Sequence, residues 1–490
     1  MDSTSFFIQS DCPALLEAIL ALYLVYSLGT NVKLVNEQTH VFPLHTFTGP
    51  YFLVISLIVI LHGLTPSSFS EHLSLNGDLI HGSHASLCQS IFLVASLITL
   101  GVSQSFLKKK EVLHFEYVAL ILFSLLGLSI ISVSSNLAMI YLAIELQSLA
   151  FYVLATIGWN SDFNVEAGIK YFVIGSFSSC LLLFGFALMY LNTGSLSFEA
   201  IQKIYTESDK ISIVFYSICF SSAALLFKVG AAPFHNWLCD VYEGSLTSVT
   251  LFFAVVPKIV LFYLLFKLFF YALIAQKEIW TGIMLGSGVL SIVVASVGAL
   301  VQKKVKRLLA FSAVSHTGFL LLAVSCGSIG SIKACTFYLI FYIIMNLSLF
   351  STIFSATTQT QYLKYLVNWS AQTTRNSLII LTFTLTLFSI AGIPPLGGFY
   401  SKLLVLTSLI TEYHGIFTII VAFFSCVACF YYIRLIKMFF FTGSPKGVWI
   451  AHPFRSIELC LAISTSLITF ILIHPSFILT TSNLVACSLL

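Results

Sequence analysis

Apolar runs of about twenty residues recur along almost the whole chain and leave few alternatives for its fold. At about 1.5 Å per residue, a helix of that length spans the roughly 30 Å hydrocarbon layer of a bilayer. Only 9% of the 490 residues are charged, against about 25% in soluble globular proteins. The sequence therefore predicts an all-α polytopic membrane protein.

We expect about fourteen transmembrane helices, because that many apolar runs are long enough to cross the bilayer. The expected spans are 12–29, 49–64, 87–106, 116–135, 137–159, 167–192, 211–242, 248–272, 279–301, 305–326, 332–356, 378–411, 416–441 and 457–480. The histidines of residues 62–86 have no regular ligand spacing, so a plain loop is expected there. Residues 196–210 are amphipathic and favour an interfacial helix.

Lysine and arginine residues are distributed unevenly between the loops of this arrangement. The odd-numbered loops hold fourteen of them and the even-numbered loops four. Positively charged loops favour the side that corresponds to the cytoplasm. Both chain termini are therefore predicted to face the opposite side.

Span seven is interrupted within the stretch LLFKVGAAPFHNW. Lys228 stands near the end of an apolar run, and Gly230, Pro233 and His235 follow it closely. An ionisable residue inside a span is costly and usually functional. Non-helical backbone at membrane depth is tolerated only where it is buried in protein or lines a cavity. Together, the two features predict an ion path.

Span twelve is interrupted by Pro394, Pro395 and Gly397, and Lys402 follows the interruption. Interrupted helices in two halves of a chain indicate an inverted-repeat transporter. We expect the repeats to be spans four to eight and nine to thirteen. The expected divisions are an N-terminal three-span region (1–110), a first half (111–275), a second half (276–442) and a C-terminal span (443–490).

Three lysines lie deep in predicted spans, whereas Glu145 in span five is the one deep acidic residue among their candidate partners. Besides Lys228 and Lys402, Lys258 is central in span eight. Static ion pairs therefore cannot account for all three lysines. A lysine kept away from water and from carboxylates releases its proton more readily. We therefore assign Glu145 and the three lysines to a candidate proton path.

Two other residues have both structural and functional interpretations. His316 in span ten is a candidate for the proton path, or a core histidine bonded to a hydroxyl such as that of Ser312 or Ser315. Lys267 lies about 13 Å along the helix from Lys258, and we expect it to extend to the interface as a structural residue.

The cysteine pattern gives no indication of a metal site. Cys426 and Cys429 form an isolated Cys-x-x-Cys pair inside an apolar helix, whereas a structural zinc site takes four ligands. A packed helix face is the expected interpretation. No glycine-rich nucleotide-binding loop is present in the sequence.

Five segments carry a resemblance to a known family: YLAIELQSLAFYVLA, EAGIKYFVIGSFSSCLLLFG, FKVGAAPFHNWLCDVYEGS, KVKRLLAFSAVSHTGF and FSIAGIPPLGGFYSK. Together they resemble the proton-pumping antiporter-like subunits of respiratory complex I, over roughly residues 115–440. The resemblance implies that Glu145 pairs with Lys228, that Lys258 is the central lysine, and that Lys402 serves the second half-channel. His235 and His316 are further candidates for the path.

The resemblance also implies a cellular role. The chain would be a non-redox, proton-translocating subunit of the mitochondrial inner membrane, with both termini in the intermembrane space. Its partners would be other membrane-arm subunits and bilayer lipids, with cardiolipin as a candidate, and no nucleic acid. FMN and iron–sulfur clusters are expected in other subunits. Two alternatives stay open: a stand-alone cation/proton antiporter component, and a structural subunit with an inactive path.

Overall fold

The computed structural model describes residues 19–23, 25, 51, 55–56, 72–74, 77–110, 115–158, 161–207, 211–356, 365–366, 377–441, 455–471 and 474–488. Most residues of the predicted spans 12–29 and 49–64 lie outside these described residues. Nine of the described helices are long and apolar enough to cross a membrane. The prediction of an all-α polytopic protein is confirmed.

A short antiparallel hairpin lies where the sequence predicts a plain loop. Its strands are β1, His72–Ser74, and β2, Leu79–His81. Gly77 in the turn has a φ of +91°, a conformation that glycine adopts without steric cost. The side-chain amide of Asn136 donates to Asp78 Oδ1 at 2.9 Å and so holds the hairpin to the following helices. The prediction of a plain loop is therefore wrong for this segment.

The first group of described helices leads up to a helix at the centre of the protein. Its members are α1 (Ser83–Lys110), α2 (Phe115–Val133), α3 (Leu137–Thr156), α4 (Asp162–Thr193), α5 (Phe198–Glu207), α6 (Ile211–Val229), α7 (Asn236–Gly244) and α8 (Thr247–Phe266). Helix α8 continues as a π-helical segment, Lys267–Ala272, and a short 3₁₀ turn, Ile274–Gln276. Helix α5 occupies the predicted amphipathic segment, with Phe198, Ile201 and Tyr205 buried.

The second group of helices follows directly. Its members are α9 (Lys277–Val301), α10 (Val305–Ser325), α11 (Ile329–Ala356), α12 (Ser377–Ala391), α13 (Gly397–Thr411), α14 (Gly415–Phe441), α15 (Arg455–Phe470) and α16 (Ser476–Ser488). The predicted span 457–480 is not one continuous helix. Pro475 precedes α16, and proline disfavours helical geometry in the residue before it.

Helices α8 and α11 form the centre of the bundle. Every residue of α8 is buried, and the helix packs against α1, α2, α6, α10 and α11. Helix α11 in turn packs against α10, α12, α13, α15 and α16. A charged residue on the inner face of either helix is therefore enclosed by protein.

Small residues bring neighbouring helices into close contact. A Cβ atom on Gly318 of α10 would lie 2.9 Å from the backbone oxygen of Gly288 on α9. Similarly, a Cβ atom on Gly185 of α4 would lie 2.8 Å from the backbone nitrogen of Ser221 on α6. Such contacts are typical of membrane proteins, where helix association depends on close packing rather than on the hydrophobic effect.

Candidate functional site

The first helix break separates α6 from α7. Gly230 has a φ of +79°, and the N–H groups of Gly230 and Ala231 both bond to the backbone oxygen of Leu226 at 3.0 Å. This arrangement is a helix C-cap that glycine favours. Pro233 lies in the same non-helical segment. The break places Lys228 two residues before the turn, at the end of α6.

The second break, between α12 and α13, repeats this geometry. Gly392 has a φ of +82°, and the N–H groups of Gly392 and Ile393 both bond to the backbone oxygen of Phe388 at 3.1 Å. Each break thus follows a Gly-x-x-Pro pattern, with Pro395 in the position of Pro233. Gly392 is not among the break residues predicted from the sequence.

The other predicted break residues of the second half differ in position. Pro394 lies in the non-helical segment, whereas Gly397 is the first residue of α13. A Cβ atom on Gly397 would overlap the ring of Phe341. Gly397 therefore permits the close approach of α13 to α11.

Lys228 and Glu145 are partly buried residues whose charged groups do not pair with each other. Lys228 Nζ and Glu145 Oε1 are both buried and lack a hydrogen-bond partner in the part of the chain that the structure describes. The other carboxylate oxygen of Glu145 accepts a long bond of 3.5 Å from the Ser148 hydroxyl. The arrangement is thus not a static ion pair. Both groups are available for new partners.

A cavity joins Lys228 to Lys258. Its volume is about 30 Å³, and its lining includes both lysines, Gln147, Ser148 and Trp237. A water molecule needs about 10–15 Å³ of such space together with polar partners. The cavity can therefore hold one or two waters that connect the two amines.

Lys258 lies in the middle of α8 and is 3% exposed. Its Nζ donates to the hydroxyl of Tyr342 on α11 at 2.9 Å, with a longer contact of 3.5 Å to the backbone oxygen of Ala313. These partners are neutral oxygens rather than carboxylates. Lys258 is therefore solvated by the protein without an ion pair among the described residues.

His316 on α10 has a different hydroxyl partner from those considered in the sequence. Its Nδ1 lies 2.6 Å from the hydroxyl of Tyr338 on α11. The hydroxyls of Ser312 and Ser315 instead bond to backbone oxygens of their own helix, at 2.7 Å each. His316 is thus a buried histidine bonded to a hydroxyl, as one interpretation of the sequence has it, but the hydroxyl is that of a tyrosine and not of Ser312 or Ser315.

Lys402 on α13 reaches back across the second break. Its Nζ donates to the backbone oxygens of Ile390 and Ala391, at 2.9 and 2.7 Å. These are the last two residues of α12, where the free carbonyls and the helix dipole both favour a cation.

A second cavity, of about 10 Å³, is lined by Lys402, His316, three serines and Tyr432.

The structure leaves His235 apart from this group. His235 lies at the start of α7, where its Nδ1 is buried without a hydrogen-bond partner among the described residues. Its ring is 6.4 Å from that of Phe311, and it lines neither cavity. The two cavities thus bring together Lys228, Lys258, His316 and Lys402, but not His235.

Lys267 is enclosed by protein and binds to the end of a neighbouring helix. It is 6% exposed, and its Nζ donates to the backbone oxygens of Ser134 and Ser132, at 2.6 and 3.5 Å. These oxygens lie at the C-terminal end of α2, which carries the negative end of the helix dipole. The neighbouring helix end therefore supplies the partners that we expected the interface to supply.

An ion network ties α7 to α4 and α10. Glu243 pairs with Lys304 and with Arg307, the latter at 3.5 Å. Asp240 pairs with Arg307 at 3.7 Å and with Lys170 at 3.6 Å. The half-helix that follows the first break is thus fixed at its far end.

Fold and buried charges together define a class: a helical membrane protein with two broken helices and lysines along internal cavities, as in ion-translocating antiporter-like subunits. Residues 134–429 match the family described as NADH:quinone oxidoreductase/Mrp antiporter, TM. The chain belongs to this family, and the resemblance found in the sequence is confirmed.

Individual relatives agree with this assignment. The chain is 35% identical to NADH-ubiquinone oxidoreductase chain 2 of Marchantia polymorpha over 453 residues, which cover 91% of this chain and 92% of that protein. It matches a chain of respiratory complex I from Thermus thermophilus with bound aureothin at a TM-score of 0.78 and 25% identity, covering 95% and 98%. A chain of the Mrp complex from Dietzia sp. DQ12-45-1b has a TM-score of 0.82 at 18% identity, covering 98% and 97%, and shows the fold alone.

Proposed function

We propose that the chain is a membrane-arm subunit of respiratory complex I that translocates protons across the mitochondrial inner membrane. Its full-length similarity to NADH-ubiquinone oxidoreductase chain 2 supports the assignment to that complex. One observation carries the proton role: Lys228 and Lys258 line the same cavity, and Lys228 Nζ has no partner among the described residues. NADH oxidation and ubiquinone reduction, with FMN and iron–sulfur clusters, belong to other subunits.

Pairing between Glu145 and Lys228 controls when Lys228 takes up and releases a proton at the start of the path. Contact with the carboxylate stabilises the charged lysine, and separation leaves the lysine in a buried site that favours its neutral form. Two unit charges 4 Å apart attract by about 4 kcal/mol at an effective dielectric constant of about 20. Moving one charge across about 150–200 mV requires roughly 3.5–4.6 kcal/mol. The attraction between two such charges is therefore similar in size to the free energy needed to move one charge across the membrane.

The remaining residues extend the path into the second half. Lys258 receives the proton across the first cavity, and His316 and Lys402 carry it in the second. The matching Gly-x-x-Pro breaks support an inverted repeat of residues 111–275 and 276–442 within a fourteen-span chain. The loop charges support termini in the intermembrane space. The partners are other membrane-arm subunits and bilayer lipids.

The alternative is a component of a stand-alone cation/proton antiporter. The family match supports it, because the description of that family names the Mrp antiporter beside NADH:quinone oxidoreductase. Both functions would use the same buried lysines, so the residues of the site do not separate them.

A native gel separates the two. Inner membranes solubilised in mild detergent are stained for NADH dehydrogenase activity, and the chain is located by mass spectrometry. We expect it in the very large active band. Migration alone, or with a few small membrane proteins, would overturn the complex I assignment in favour of the antiporter.

A further inference from the structure

The two cavities are separate. The residues that line the first include Lys258, those that line the second include His316, and the two linings have no residue in common. A proton that moves from one half of the protein to the other therefore needs a connection between these two side chains.

Two tyrosines of α11 occupy this position. The hydroxyl of Tyr342 accepts a bond of 2.9 Å from Lys258 Nζ, and the hydroxyl of Tyr338 lies 2.6 Å from His316 Nδ1. Residues four apart on a helix are neighbours on one face, with Cβ atoms about 5–6 Å apart. Tyr338 and Tyr342 are 0% and 1% exposed, so no bulk water competes for their hydroxyls.

Core packing alone does not explain the hydroxyls. The ring of Tyr338 stacks on Phe319 with centroids 5.8 Å apart, and the ring of Tyr342 lies 5.5 Å from that of His316. Phenylalanine would make the same ring contacts. What phenylalanine would lack is the pair of hydroxyls that bond to Lys258 and His316.

We propose that Tyr342 and Tyr338 relay the proton from Lys258 to His316, an inference that rests on the proposed function. The Lys258 ammonium gives one proton to the Tyr342 oxygen as Tyr342 passes its own hydroxyl proton to Tyr338. This transfer requires side-chain rotation, because the hydroxyls of these two described residues bond to Lys258 and His316 and not to each other. Tyr338 in turn donates its hydroxyl proton to His316 Nδ1, and His316 releases the proton of its other ring nitrogen towards Lys402. One proton enters and one leaves, both phenols end neutral, and Lys258 becomes a neutral amine.

The test is the ratio of protons translocated to electrons passed from NADH, measured on vesicles that hold the assembled complex. Tyr342→Phe and Tyr338→Phe each remove one hydroxyl and keep the ring. Tyr205→Phe is the matched control, because Tyr205 is 2% exposed and its buried hydroxyl has no hydrogen-bond partner among the described residues. Both relay variants are expected to lower the ratio to that of Lys258→Met, and Tyr205→Phe to keep the parental ratio.

The outcomes separate the relay from the proposed function. If both relay variants assemble and keep the parental ratio while Lys258→Met lowers it, the relay is overturned and the function stands. If Lys258→Met also keeps the parental ratio, the proton function itself fails. Should Tyr342→Phe not assemble on a native gel, Tyr338→Phe decides alone, because it interrupts the same relay at His316.

Discussion

Trp237 donates its indole N–H to the backbone oxygen of Phe227 at 3.0 Å, so the helix that follows the first break caps the helix that precedes it. At the second break, Lys402 makes the equivalent contact to the end of α12. A neutral indole thus donates to the helix end at the first break, whereas a lysine donates to the helix end at the second. Lys228, directly after Phe227 in the chain, is thereby left free for the cavity and Glu145.

Replacement of Trp237 by phenylalanine is expected to impair translocation as well as stability. The variant removes the indole donor from the Phe227 oxygen, which still accepts from the Gly230 N–H at 3.0 Å. The expected cost is therefore that of one hydrogen bond, about 0.5–1.5 kcal/mol, and the oxygen can then accept from Lys228. Trp280→Phe is the matched control, because the Trp280 indole also caps a backbone oxygen, that of Leu273 at 3.1 Å. Thermal unfolding is expected to show a similar loss for both variants, with a lowered proton-to-electron ratio for Trp237→Phe alone. Equal ratios would contradict the positioning role.

The second break is expected to tolerate no side chain at Gly398. A Cβ atom there would overlap the backbone oxygen of Ser389, so α13 could not approach the end of α12. We expect Gly398→Ala to cost at least about 1–3 kcal/mol and to reduce the amount of assembled complex on a native gel. The control is Gly286→Ala, since no atom lies within 4 Å of a Cβ placed there. Normal assembly of Gly398→Ala would show that the close contact is dispensable.

Lys267 is expected to contribute to stability and not to translocation. Lys267→Met removes the donor from the Ser134 oxygen at the end of α2. The loss of a charged hydrogen-bond donor from a buried acceptor costs about 1–3 kcal/mol. Thermal unfolding of the complex should occur at a lower temperature, while the complex that has assembled translocates at the parental ratio. A lowered ratio in fully assembled complex would place Lys267 on the proton path.

The sequence predicts the deep lysines well for a physical reason. Lys228, Lys258 and Lys402 interrupt apolar runs in which a charge is costly, so each is visible without a structure. The breaks are visible because glycine and proline stop helices. Gly392 is not predicted in this way, since only comparison of the two Gly-x-x-Pro patterns identifies it as a break residue.

Other features depend on contacts that no local pattern records. Tyr338 and Tyr342 lie in an apolar span, where a tyrosine is typical of aromatic packing. Only their distances to His316 and Lys258 distinguish them from tyrosines that serve packing alone. Lys267 lies near the end of the predicted span 248–272, and this position suggests that its side chain reaches the membrane interface. The carbonyls that bind it come from α2, more than a hundred residues earlier in the chain.

The central claim is that Lys258 carries the translocated proton. Its most direct test compares Lys258→Met with Lys267→Met. Both lysines are buried, Lys258 in α8 and Lys267 in its π-helical extension, and each substitution removes one positive charge. The measurement is the proton-to-electron ratio of the assembled complex during NADH oxidation. The account predicts a lowered ratio for Lys258→Met and the parental ratio for Lys267→Met. A parental ratio in Lys258→Met would contradict it and leave the chain a structural subunit with an inactive path.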